Sequence, residues 1–190
     1  MKKTLFRLLP VLLIVLTMTV SLFVSFAAAE SAPETFNNVT DFSNKHGYKN
    51  WYYMYGDVDD PRLMVFDMDI GRWNGKDFYA FMEIGQIHPG NNTETFYGFK
   101  APKDGTLHVS GDVKRTPTAY GEGDGVFTYI AFNNSENDYL FSKTKNKDDN
   151  TVSEFEFDVE VKAGDMLFFV TNASANNSYD NTKWNIDIAY

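Results

Sequence analysis

The stretch TVSEFEFDVEVK, Thr151 to Lys162, decides how the rest of the chain is read. Phe155, Phe157, Val159 and Val161 alternate with Glu154, Glu156, Asp158 and Glu160. That is the period of a strand with one buried and one charged face. Ala163-Gly164-Asp165 follows as a tight turn. Met166 to Val170 is then a continuous apolar run, expected to be covered on both faces. The chain closes on a second alternation, with Trp184, Ile186, Ile188 and Tyr190 on one side and Asn185 and Asp187 on the other.

The same grammar runs upstream. Trp51 to Tyr55, Leu63 to Ile70, Phe78 to Ile84, Thr95 to Phe99, Thr106 to Val113, Val126 to Phe132 and Tyr139 to Ser142 read as short strands. Asn74-Gly75 reads as a two-residue hairpin turn that sets Arg72 opposite Asp77. Pro102, Asp104 and Gly105 mark another turn. About ten short strands without helical periodicity predict an all-β antiparallel sandwich over residues 51–190, because parallel pairing needs helical crossovers. Residues 30–50 are polar and irregular and read as a linker, or a first strand near Phe36 to Phe42.

Before these lies a different kind of segment. Lys2, Lys3 and Arg7 precede an apolar run from Leu8 to Phe26, and Ala27-Ala28-Ala29 supplies the small residues of a cleavage site. Residues 1–29 are therefore expected to be a signal peptide, with an uncleaved membrane anchor as the alternative. The leader holds three basic residues and no acidic one in a chain of net charge −9, so its removal makes the product more acidic still. Such a chain lacks the basic footprint of a nucleic-acid binder and is repelled by anionic membranes. The absence of cysteine excludes disulfides, thiolate zinc sites and cysteine nucleophiles.

Trp51-Tyr52-Tyr53, His88-Pro89-Gly90, Ala101-Pro102 with Gly105, Gly123-Asp124-Gly125-Val126, Ala163-Gly164-Asp165 with Phe169, and Asp180-x-Thr182-x-Trp184 stand in this order along the chain. Together they resemble a β-sandwich module of extracellular bacterial proteins, a type often attached to polysaccharide-active enzymes or surface-layer proteins. Such modules tend to carry tryptophan before the Ala-Pro pair, where Phe99 stands nearby in this chain. The resemblance implies a jelly-roll or galactose-binding-like sandwich and, by association, carbohydrate binding.

Sugar recognition needs flat aromatic faces beside amide and carboxylate groups. Aromatics make up 16% of the chain, and most phenylalanines are expected in the core. Trp73 beside Asn74-Gly75, and Tyr120 in the Pro117-to-Gly125 loop, fall in expected turns and are the platform candidates. Asn74, Asp77, Arg115 and Glu122 are their expected hydrogen-bonding neighbours. Acidic loops suggest a structural calcium ion, with Asp57, Asp59 and Asp60 or Glu122 and Asp124 as ligands. Asp67-x-Asp69 begins like an EF-hand loop, but Gly71 and Arg72 break that pattern. No G-x-S-x-G, H-E-x-x-H or phosphate-binding glycine loop is present. The expectation is a secreted, non-catalytic carbohydrate-binding module. A structural or adhesive sandwich that binds a protein partner is the second reading, and a small polysaccharide-active enzyme the third.

Overall fold

The computed structural model describes residues 32–77, 79–116, 123–133 and 138–190. Pro33 to Tyr190 form one compact unit; the other, Met1 to Ala32, contains the expected signal peptide and lies almost wholly outside the described residues. Fourteen strands are present among the described residues: β1 (Thr35–Asn37), β2 (Trp51–Asp57), β3 (Asp60–Leu63), β4 (Val65–Asp67), β5 (Arg72–Asn74), β6 (Phe81–Glu83), β7 (Gln86–His88), β8 (Glu94–Lys100), β9 (Gly105–Arg115), β10 (Gly125–Phe132), β11 (Tyr139–Asn146), β12 (Ser153–Val161), β13 (Met166–Ala173) and β14 (Thr182–Ala189). None of the described residues forms a helix long and apolar enough to cross a membrane.

The strands form two antiparallel sheets, a β-sandwich of jelly-roll type. One runs β12-β9-β14-β7-β6-β5-β4, with β1 also paired to β14; the other runs β11-β10-β13-β8-β2-β3. The alternation in residues 151–162 places Phe155 and Val161 in the core, while Glu154, Glu156, Asp158 and Glu160 stay exposed. The run at Met166 to Val170 is split by the pleat. Leu167 and Phe169 enter the main core, and Phe168 and Val170 join a second apolar cluster with Met54, Phe96 and Tyr129. The main core is aromatic. Trp51 meets Phe99 edge-on at 5.2 Å, and Phe169 meets Trp184 edge-on at 6.1 Å. Each such ring contributes roughly 1.5–3 kcal/mol through burial.

Two local expectations are corrected. The Asn74-Gly75 pair does not form a two-residue turn: Trp73 pairs with Met82 and Asn74 with Phe81, so residues 75–80 form the loop and Arg72 does not face Asp77. Gly75 N–H donates to the Ala80 carbonyl across that loop, at 2.8 Å. Leu63 to Ile70 is not one strand. Asp67 Oδ1 accepts the backbone N–H of Asp69 and of Ile70, and this Asx turn ends β4. Residues 33–50, for which a linker and a first strand are the two expectations, pack with the domain and hold β1: Phe36 is buried against Phe99, and the buried Asn38 amide donates to the Trp184 carbonyl and accepts from Ile186 N–H.

Candidate functional site

At one end of the sandwich, the loop joining β13 to β14 meets the outer side of β6 and β7. Between them is a cleft of about 440 Å³ lined by Tyr79, Phe81, His88, Asn177, Ser178, Tyr179 and Asn181. Two of these rings face solvent, Tyr79 at 52% and Tyr179 at 37% of full exposure. Phe81 and His88 lie on paired strands and stack, 5.2 Å apart and 18° from parallel, with the Arg72 guanidinium 4.5 Å from the Phe81 centroid. Burial holds His88 below the usual imidazole range, opposed by hydrogen bonds to the Pro89 and Tyr79 backbone. Its Nδ1 donates to the Pro89 carbonyl at 2.8 Å.

The β13–β14 loop is held by side chains that leave the cleft face open. Asp124 Oδ2 accepts the N–H groups of Ala175 and Asn176, at 2.5 and 3.2 Å. Asn177 donates to the Pro89 carbonyl, and the Asn181 side chain accepts from Gln86. Tyr179 itself has φ of 63°, a left-handed backbone that a bulky side chain adopts only under constraint. Directly after it, Asp180 is fully buried, 3.6 Å from the Arg115 guanidinium, and Arg115 is 3% exposed. Burial pushes the Asp180 carboxyl up to about 7; Arg115 opposes the rise and Asp124 adds to it.

The residues singled out in the sequence fall differently. Trp73 is not a platform. It is 3% exposed, stacked on Tyr53, and its indole N–H donates to the Ser43 carbonyl at 2.9 Å. As the middle residue of β5 it points inward, and it does not lie in a turn. Asn74 is occupied as the acceptor for Arg72 Nε. Asp77 braces the 89–93 turn by accepting the N–H groups of Asn91 and Asn92. Arg115 is buried behind the β13–β14 loop and is not an exposed neighbour of a ligand. Tyr120 and Glu122 lie outside the described residues. Asp57, Asp59 and Asp60 are exposed at the β2–β3 turn, and Asp60 is paired with Arg62 at 2.8 Å. Among the described residues, no three His, Asp or Glu side chains converge as a metal-binding group.

Sequence reading missed Tyr79 and Tyr179. The signal was present in the second case: a single large ring ends the polar run Ser174 to Ser178.

No family model and no curated protein matches the chain. Among solved structures it is similar to the CBM35 of Abf62 from Cellvibrio japonicus, at 7% identity over 82% of this chain and 92% of that one, with a TM-score of 0.40. It is also similar to the C-terminal CBM6 of LamC from Zobellia galactanivorans, at 12% identity over 83% and 100%, TM-score 0.37. Pika GITRL is similar at 13% identity over 72% and 94%, TM-score 0.33. These likenesses are distant, and the assignment of the fold rests on the sheets themselves.

Proposed function

We propose that this domain binds a glycan, without transforming it, in the cleft between Tyr79 and Tyr179. One observation carries the reading: two solvent-facing tyrosine rings flank a hollow whose polar lining is made of amides, a hydroxyl and an imidazole. Rings of this kind cover the apolar face of a pyranose, and Asn177, Ser178 and Asn181 offer donors and acceptors for its hydroxyls. The volume lies within the ordinary range of small-ligand sites. None of the lining residues is a carboxylate, whereas glycoside hydrolysis ordinarily needs two flanking the bond. The leader-like residues 1–29 support export, which would put the site in reach of an extracellular or cell-wall polysaccharide.

Electrophoresis through gels containing a panel of polysaccharides tests the reading. The domain should be retarded by at least one glycan, and Tyr79→Ala and Tyr179→Ala should each abolish retardation without lowering the melting temperature. No retardation of the wild type by any glycan would remove the reading.

A second reading has its own observation. A hollow of about 610 Å³ lies along the edge strands β3 and β4, where Tyr55, Leu63, Val65, Phe66 and Met68 line it together with Asp67, Asn74, Gly75 and Lys76. Val65 and Met68 are 74% and 73% exposed there. Exposed apolar side chains at open edges suit a protein partner better than a sugar. This is the surface of the adhesive alternative.

A further inference from the structure

Arg115 is spent neither on the core nor on solvent. Its Nη1 donates to the Lys147 carbonyl, between β11 and β12, and its Nη2 donates to the Tyr179 carbonyl at 3.0 Å. Asp180, when ionised, supplies the opposing charge at 3.6 Å, yet among the described residues neither of its carboxylate oxygens has a hydrogen-bond partner. The pair is therefore held together by charge at a distance, and the directional bonds of the guanidinium go to main chain. The packing leaves little slack. A Cβ on Gly123 would stand 2.3 Å from the Ser178 carbonyl and 2.6 Å from Arg115 Nη2, so only glycine lets the loop approach this closely.

We infer that Arg115 is a positioning residue for the cleft: backed by Asp180, it clamps the Tyr179 carbonyl and fixes the left-handed backbone that turns the Tyr179 ring toward the ligand. The inference rests on the reading of the cleft as the glycan site. Two features support it. Tyr179 is the residue of the loop with the constrained backbone, and its carbonyl is the one Arg115 grips. The task also requires arginine, because a planar fork reaches two carbonyls in different directions while a lysine ammonium is a point charge on a flexible stem. Arg115→Lys thus keeps the charge facing Asp180 and removes the clamp.

The test uses ¹³C-tyrosine NMR and glycan titration together. In Arg115→Lys the Tyr179 ring resonances, assigned with Tyr179→Phe, should move while those of the core residue Tyr53 stay in place. Glycan affinity should fall at least tenfold. The double variant Arg115→Lys/Tyr179→Ala should bind no worse than Tyr179→Ala alone, since both changes remove the same contact. Unmoved Tyr179 resonances would overturn the inference, and so would equal movement of every tyrosine, which would mark a general loosening of the fold. If Arg115→Lys does not fold, Asp180→Asn removes the opposing charge with little change of shape, and the same selective movement of Tyr179 is expected. Should the wild type bind no glycan at all, the cleft reading fails, while the NMR arm still decides whether Arg115 sets the Tyr179 conformation.

Discussion

The Trp73 indole lies against the Tyr53 phenol, centroids 4.7 Å apart and planes 15° from parallel. The His46 ring, at 4.1 Å, and the Phe66 ring, at 5.1 Å, close around the same indole. Three segments of chain converge on one side chain, and burial pushes the Tyr53 hydroxyl up to about 12. Trp73→Ala should therefore cost about 3–5 kcal/mol, as expected for truncating a buried aromatic. Chemical denaturation measures this directly. The folded fraction should retain any glycan binding of the wild type, in contrast to Tyr79→Ala and Tyr179→Ala.

Asp180 gives the domain a pH dependence of definite sign. Its carboxyl is raised by burial from 3.8 to about 7, so the folded state holds the proton more tightly than the unfolded chain. The stability this group contributes is complete below about pH 3.8 and is lost as pH rises through about 7, an effect on the order of 4 kcal/mol. Glu94 is also raised by burial, opposed by hydrogen bonds from Tyr129 and Asn172, and adds a slope of the same sign. In Asp180→Asn the fall in stability between pH 5 and pH 7.5 should flatten, leaving the Glu94 part and the opposite slope of His88, whose imidazole burial holds low. Unfolding curves at a series of pH values decide this, and an unchanged slope would mean that Asp180 titrates as in the unfolded chain.

The strands were legible where one face meets water. Phe155 to Val161 alternates cleanly because the outer face of β12 is exposed to water while its inner face meets the core. The short strands β4 to β7 were blurred, since three-residue elements carry too little pattern to separate strand from turn. Asn74-Gly75 illustrates the cost: local turn chemistry favoured a two-residue hairpin, but Trp73 had more to gain in the core, and the loop moved to residues 75–80. The site was hardest to read. Tyr79 and Tyr179 are separated by about half the chain and meet only because β6, β7 and β14 are neighbours, which no local signal encodes.

Calcium remains a matter for melting curves. Asp60 is already paired with Arg62, and Asp57 and Asp59 point into solvent beside it. The variant Asp57→Asn/Asp59→Asn/Asp60→Asn should respond to calcium and to chelator as the wild type does. A calcium-dependent rise in melting temperature that is lost in this variant would place an ion at the β2–β3 turn.

Gly123→Ala should destabilise the domain by about 1–3 kcal/mol, the usual cost of forcing atoms into a packed site. The contact at 2.3 Å is to the Ser178 main chain, which cannot swing aside as a flexible side chain would. Thermal unfolding checks it. An unchanged melting temperature would show that the β13–β14 loop yields freely.

The pairing of β1 with β14 also has a mechanical consequence. Thr35 lies opposite Ala189, and the Tyr190 N–H donates to the Glu34 carbonyl, so Glu34 and Tyr190 leave the sheet side by side. A force drawing those two residues apart does not shear the strands along their length. It opens them like a zipper, one rung at a time from Glu34–Tyr190 inward, until it meets the Asn37 amide bound to Asp187 and Asn185. Tension between Glu34 and Tyr190 would therefore strip β1 from the sandwich before it disturbed β9 and β12.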